Sequence, residues 1–321
     1  MKKTLLTLLA TTTLLLSARA LDYQPVADWL KLPEGKTKIG NMHGDVAVSS
    51  KGEIYVSVMD YTPGIQVYSA DGHYLRNVPN APNDFHGFVI RKQPDGEFIF
   101  GPRLGGQNIL KLTLDGKVVL DIPASDIPEE FKSKDGKGKS HVALTAMDVA
   151  PNGDLYVTDG YSSDYVHRFD HNGKYIQSFG GKKAPYNFST LHKIAIDTRF
   201  EPARIIACDR ANNRVVHLSL TGDFLGVIVS DLRLPAAVAV HGDYAAIGEL
   251  KGRVTVLDKS GKIVAQLGEY TGPGVGGNGI KPADWKTGVC TSPHGVDFDA
   301  NGNLYVSEYN VYGRVIRWDV K

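Results

Sequence analysis

Apolar and polar residues alternate in short runs along this chain, and no stretch keeps an apolar period of 3.6 residues. Leu155-Tyr156-Val157-Thr158 is representative, a period of two that marks a half-buried β-strand. Asp-Gly and Asn-Gly pairs separate many of the runs. Glycine takes positive φ without a Cβ clash, so such pairs between β-rich segments read as hairpin turns. Six segments repeat one design: an apolar strand, a glycine turn, a second strand, a loop rich in Asp or Asn, and a third strand. In four of them a further glycine turn and an outer strand follow clearly. The third segment runs Ala146 to Ala150, Asn152-Gly153, Asp154 to Thr158, Asp159-Gly160-Tyr161, Val166 to Asp170, Asn172-Gly173 and Lys174 to Phe179. The turn glycines act as a ruler: Gly52 to Gly72, Gly96 to Gly116 and Gly153 to Gly173 are each 20 residues apart, and Gly242 to Gly261 is 19.

Four short strands in a repeat of roughly 40–50 residues describe the blade of a β-propeller. The expected fold is therefore all-β and six-bladed, with blades near 41–80, 84–122, 142–180, 188–230, 232–268 and 290–320. The sixth segment lacks an outer strand, and residues 22–32 are apolar enough to supply it. That pairing would close the ring and remove an open sheet edge. Two connections break the rhythm, a lysine-bearing stretch at 125–140 and a glycine-rich one at 270–288. Long loops on a rigid scaffold carry function or stay unstructured.

Residues 1–20 read as a secretory signal peptide: Lys2 and Lys3, an apolar run from Leu5 to Leu16, and Ala18-Arg19-Ala20 as the cleavage site. The apolar run is too short to span a bilayer. The expected mature chain, 21–321, is a single domain exported to the periplasm or the extracellular space, monomeric and without a membrane span. With 36 basic against 35 acidic residues, nothing suggests a nucleic-acid surface. The two cysteines, Cys208 and Cys290, fit no metal or redox motif. Whether they bridge depends on a distance that the sequence does not carry.

The candidate chemistry lies at the start of the first strand of alternate blades. His86 precedes Gly87-Phe88-Val89-Ile90, His192 precedes Lys193-Ile194-Ala195-Ile196, and His294 precedes Gly295-Val296-Asp297-Phe298. First strands line a propeller's channel, and blades two, four and six stand about a third of a turn apart. Three imidazoles would then converge on one point, with nitrogens close enough to share an ion. Three neutral histidines with a fourth position open suit a catalytic Zn²⁺. Blades three and five carry Thr145 and Ala236 near this register, so the histidine is not a repeat consensus. His43, one residue early in blade one and beside Asp45, is a candidate neighbour. His167 and His217 are expected to be solvated. Where second strands end stand Asp60-Tyr61, Arg103, Asp159-Gly160-Tyr161, Asp209-Arg210 and Glu308-Tyr309. Asp159 and Asp209 are expected to hold their loops. Tyr161 and Arg210 are candidates for chemistry, because a phenol transfers protons and a guanidinium holds a carboxylate in two-pronged fashion.

The blade pattern resembles NHL-repeat propellers. Val157-Thr158-Asp159-Gly160-Tyr161, Leu191-His192-Lys193-Ile194-Ala195, Cys208-Asp209-Arg210-Ala211-Asn212-Asn213-Arg214-Val215 and Pro293-His294-Gly295-Val296 resemble the lyase domain of peptidylglycine α-amidating enzymes. The resemblance implies one zinc on three histidines, here His86, His192 and His294, and a structural calcium in the channel. It further implies cleavage of a peptidyl-α-hydroxyglycine to a peptide amide and glyoxylate, with Tyr161 as catalytic phenol and Arg210 as a substrate contact. Two departures stand out. The family's Asp after the last zinc histidine, a calcium ligand, is Gly295 here, and Asp45 is a candidate replacement from across the channel. A first-blade arginine of the family has no counterpart, and Arg103 of blade two is a candidate substitute. Two other readings remain open. One is a non-catalytic propeller that binds a peptide, glycan or protein. The other is a calcium-dependent lactonase of the gluconolactonase type, for which no matching acidic set stands in the channel register. In the catalytic readings a small-molecule or peptide substrate enters the central channel.

Overall fold

The computed structural model describes residues 21–321; the expected signal peptide lies outside the described residues. Six four-stranded antiparallel sheets follow one another along the chain. Blade 1 comprises Val46–Val48, Ile54–Ser57, Ile65–Tyr68 and Tyr74–Asn77. Blade 2 comprises Val89–Gln93, Gly96–Pro102, Asn108–Thr113 and Val118–Pro123. In blade 3 the strands are Ala146–Val149, Leu155–Thr158, Tyr165–Phe169 and Tyr175–Gly180. Those of blade 4 are Leu191–Asp197, Arg204–Asp209, Arg214–Ser219 and Phe224–Val229. Blade 5 follows with Pro235–His241, Tyr244–Glu249, Arg253–Leu257 and Ile263–Leu267. Blade 6 has Pro293–Phe298, Leu304–Glu308 and Arg314–Val320, and takes its fourth strand from Tyr23–Pro25. Helix is confined to short 3₁₀ turns, so among the described residues no helix is long and apolar enough to cross a membrane.

Ring closure has the expected form, with Tyr23 opposite Val320 and Pro25 opposite Trp318. The strand is shorter than the apolar segment that supplies it, because the rest of that segment serves the neighbouring blade. Trp29 is buried against Tyr305 of blade 6, with ring centroids 5.3 Å apart, and its indole N–H donates to the Ala70 carbonyl of blade 1 at 2.9 Å. The turn that receives it needs Gly72 (φ +87°), where a Cβ would lie 1.9 Å from the Trp29 carbonyl oxygen.

The core lies between blades. Six buried apolar clusters each span one pair of neighbours; one sets Ala47 and Tyr55 of blade 1 against Ile90 and Ile99 of blade 2. Period-two strands with both faces covered explain why the second and third strands are buried over most of their length. His167 and His217, expected in solvent, lie on third strands and are therefore buried, bonded to Ser178 and Asp197. The stretch 125–140 is less open than its polarity suggests: it holds a 3₁₀ turn and a two-residue hairpin, Ser133–Lys134 against Ser140–His141. Cys208 and Cys290 are buried free thiols.

Candidate metal centre

His192 and His294 sit at one-residue slips of strand register. Leu191 opposes Asp209 while Lys193 opposes Cys208, and Pro293 opposes Glu308 while Gly295 opposes Ser307. The Phe85–Arg103 bridge is likewise one residue out of step with Val89 opposite Phe100, and His86 lies between. A β-bulge re-aims the unpaired residue, and here it turns each imidazole to the axis. Blade 5 has the same slip at Ala236.

The histidines of the even blades bond to the odd ones. His86 Nδ1 lies 2.9 Å from the Thr145 carbonyl, His192 Nδ1 2.6 Å from that of Ala236, and His294 Nδ1 3.3 Å from that of Gly44. A carbonyl only accepts, so each Nδ1 carries the hydrogen and each Nε2 keeps its lone pair. Backbone partners of this kind orient metal-ligating histidines. Ring centroids are 4.8 Å apart for His86 and His192, 4.7 Å for His86 and His294, and 4.9 Å for His192 and His294.

A fourth imidazole joins them. His43 lies 4.8 Å from both His86 and His294 by centroid, and a donor nitrogen from each of these three falls within 4.8 Å of the others. Proximity alone would thus choose His43, His86 and His294. His192, expected to share an ion with His86 and His294, is not in that closest group, although it has the same register and the same bond to a neighbouring carbonyl as those two. All four are held uncharged by burial. His86 is pushed down to about 3, with His43 adding to the effect, and His43 to about 4, with the Arg210 charge adding. His192 and His294 also lie well below the ordinary histidine range, burial again leading. The Nε2 of His294 is buried and has no partner. An unpaired lone pair there, beside two more imidazole nitrogens, is a donor set that could hold a metal ion of the kind imidazole suits.

Tyr161 and Arg210 reach the same place. The Tyr161 hydroxyl lies 3.0 Å from Nε2 of both His86 and His192. Gly160 lets the chain carry it there: a Cβ at 160 would stand 2.2 Å from the Leu191 carbonyl oxygen. Asp159 anchors the loop by accepting from the Ala143 and Ser163 amides, and Asp209 accepts similarly from the Ser189 amide. Arg210 Nη1 donates to the Tyr161 hydroxyl at 3.2 Å, with its guanidinium carbon 5.2 Å from that ring's centroid. Burial raises the phenol's pKa, opposed in part by Arg210.

Arg103 is not brought to the cluster. Its Nε donates to Asp84 Oδ1 at 2.8 Å, which inverts the other blades, where a carboxylate ends the second strand and binds the segment leading into the first. Asp45 pairs with the buried Lys193 ammonium and bonds to none of the imidazoles. One group had no role assigned from sequence: Tyr309, whose ring lies 4.4 Å from that of His43 and whose hydroxyl accepts from Asn278 in the glycine-rich stretch. Its place beside Glu308, at the strand end corresponding to Asp159-Gly160-Tyr161, was the available signal.

Fold and site together define a six-bladed β-propeller with a histidine-lined axial centre. No family model matches the chain. It is a distant homologue of peptidyl-alpha-hydroxyglycine alpha-amidating lyase 1 of Drosophila melanogaster, 27% identical over 247 residues, which cover 66% of this chain. The match takes in 39% of that protein's length. Among solved structures, a streptogramin B lyase covers 94% of this chain and 98% of its own (TM-score 0.58, 13% identical). A gluconolactonase from Xanthomonas campestris covers 88% and 89% (TM-score 0.60, 12% identical). At those identities the likeness is one of fold.

Proposed function

We propose that the protein is a zinc-dependent carbon–nitrogen lyase that cleaves an α-hydroxyglycine-type substrate to an amide and glyoxylate. The observation that carries this reading is the Tyr161 hydroxyl, which accepts from Arg210 and lies 3.0 Å from Nε2 of two axial imidazoles, to either of which it can donate its one hydrogen. Distant homology to the amidating lyase supports the choice of substrate. The all-nitrogen donor set favours zinc over calcium, which takes oxygen ligands. His86, His192 and His294 would hold the ion, which when bound acts as a Lewis acid on substrate oxygen.

Arg210 has no carboxylate partner among the described residues and holds the substrate's carboxylate by its two-pronged face. The α-hydroxyl proton passes to a neutral base, for which His43, kept uncharged at neutral pH, is the imidazole outside the ligand set. The oxygen's electron pair forms the aldehyde C=O as the C–N bond breaks. Tyr161, kept protonated by burial, gives its proton to the departing amide nitrogen. Proton return from His43 to the phenolate completes the cycle.

The test is glyoxylate release from a peptidyl-α-hydroxyglycine by protein purified without chelator, with zinc content measured on the same sample. One zinc per chain with chelator-sensitive release is the expected result. Stoichiometric zinc without release would refute the substrate while leaving the centre, and calcium alone would favour the lactonase reading.

A further inference from the structure

Directly beneath the histidines the channel holds an ion pair. Lys193 follows His192 on the first strand of blade 4, and its ammonium donates to Asp45 Oδ2. Both side chains are buried, 5% and 2% exposed. Asp45 leads into blade 1, so the pair links opposite sides of the ring. The same carboxylate oxygen accepts the Phe88 amide of blade 2 at 3.1 Å.

The calcium implied by the sequence resemblance does not fit these residues. Calcium takes six to eight oxygen ligands. The position after the last histidine is Gly295, and a Cβ there would lie 2.5 Å from Asp45 Oδ1 and 2.5 Å from Ser307 Oγ. An aspartate at 295 is therefore excluded by the carboxylate that arrives from blade 1. The three carboxylates on the first strands themselves are committed elsewhere. Asp297 accepts the Val48 and Phe298 amides, Asp148 accepts Arg91 and the Ile196 amide, and Asp197 is bonded to Arg199 and His217. That leaves Asp45, whose Oδ1 is buried without a partner among the described residues. One open oxygen falls far short of the set calcium takes. The charge beside it is already an ammonium, which a divalent ion would have to approach against Coulomb repulsion.

We propose that Lys193 is the resident cation of this channel: its ammonium takes the place of a structural metal ion, bracing blade 4 against blade 1 through Asp45, and the ring needs no calcium. A tethered ammonium bridges fewer groups than an ion, but it cannot dissociate or be chelated.

The readout is thermal melting, so the outcome is independent of the lyase reading. The full protein is stripped with chelator, reloaded with zinc and titrated with calcium. An unchanged midpoint is expected; a rise with calcium concentration, the signature of binding to the native state, would overturn the proposal. In the second arm Lys193→Met lowers the midpoint by leaving the Asp45 carboxylate buried and unpaired, and adding Asp45→Asn recovers part of the loss. A Lys193→Met protein that melts like the wild type would overturn it as well. Should that variant not fold, the calcium titration of the unaltered chain decides alone.

Discussion

The two ends of the first strands treat buried polar groups in opposite ways. At the starting end, four imidazoles crowd the axis uncharged, and one of their nitrogens has no partner. Toward the other end, where a cavity of about 800 Å³ opens at the channel mouth, Arg91 is paired with Asp148 at 2.7 Å and Asp297 caps the Val48 amide at 2.8 Å. Asp148 also caps Ile196 of the next blade. A satisfied charge between blades acts as a fastener, whereas a buried acceptor left open is a place for a ligand. One set of strands thus serves stability at one end and chemistry at the other, and substitutions should separate the two.

The largest effect should come from His294→Ala, which removes the open acceptor and with it bound metal and glyoxylate release, while the melting temperature of metal-free protein changes little. Metal retained at one ion per chain would break the comparison. Tyr161→Phe comes next. It should reduce kcat by about 10²–10⁴-fold, the usual contribution of a positioned proton donor, with zinc content and melting unchanged. Asp148→Ala should do the reverse, costing about 3 kcal/mol of unfolding free energy in denaturant titration, the low side for breaking such a pair because Arg91 is partly exposed. Its metal content should stay at the wild-type level.

The smallest effect is a slope. In unfolded chain His43 binds a proton near pH 6.5, but in the fold only near 4. Between those values the unfolded state holds the extra proton, so His43 lowers stability as pH falls from 6.5 toward 4. Two buried carboxylates, Asp45 and Asp159, are raised to about 6 and act in the opposite sense, as do Asp164 and Asp297, which burial also raises. The measurement is therefore a difference: metal-stripped His43→Gln should lose less stability than wild type between pH 7 and pH 4. Parallel curves would refute it.

Blade number, order and closure were legible because a glycine turn and a period-two run each have a local cause. The three axial histidines were legible for a related reason: repetition turns sequence register into position in space. What surrounds them was not. The groups that orient them are carbonyls of Thr145, Ala236 and Gly44, and every residue has a carbonyl, so no side chain advertises the role. The bulges that aim them shift pairing by one residue and leave no compositional trace. Asp45 and Lys193 meet across 148 positions of sequence. Arg103 looked available at a strand end, yet its partner Asp84 stands in the segment leading into the same blade, a reversal of the arrangement elsewhere.

The strand borrowed by blade 6 also bears on timing. Tyr23 is synthesised long before Val320, the residue it must face. Until then blade 6 cannot be completed, and whatever has folded earlier waits as an arc with a bare rim. Contacts so distant in sequence form slowly, and an unpaired rim invites another chain to add to it. The hazard therefore falls on the newly made chain. Once the ring is shut, Trp29, gripped between blade 6 and blade 1, keeps the short Tyr23–Pro25 strand from peeling away again.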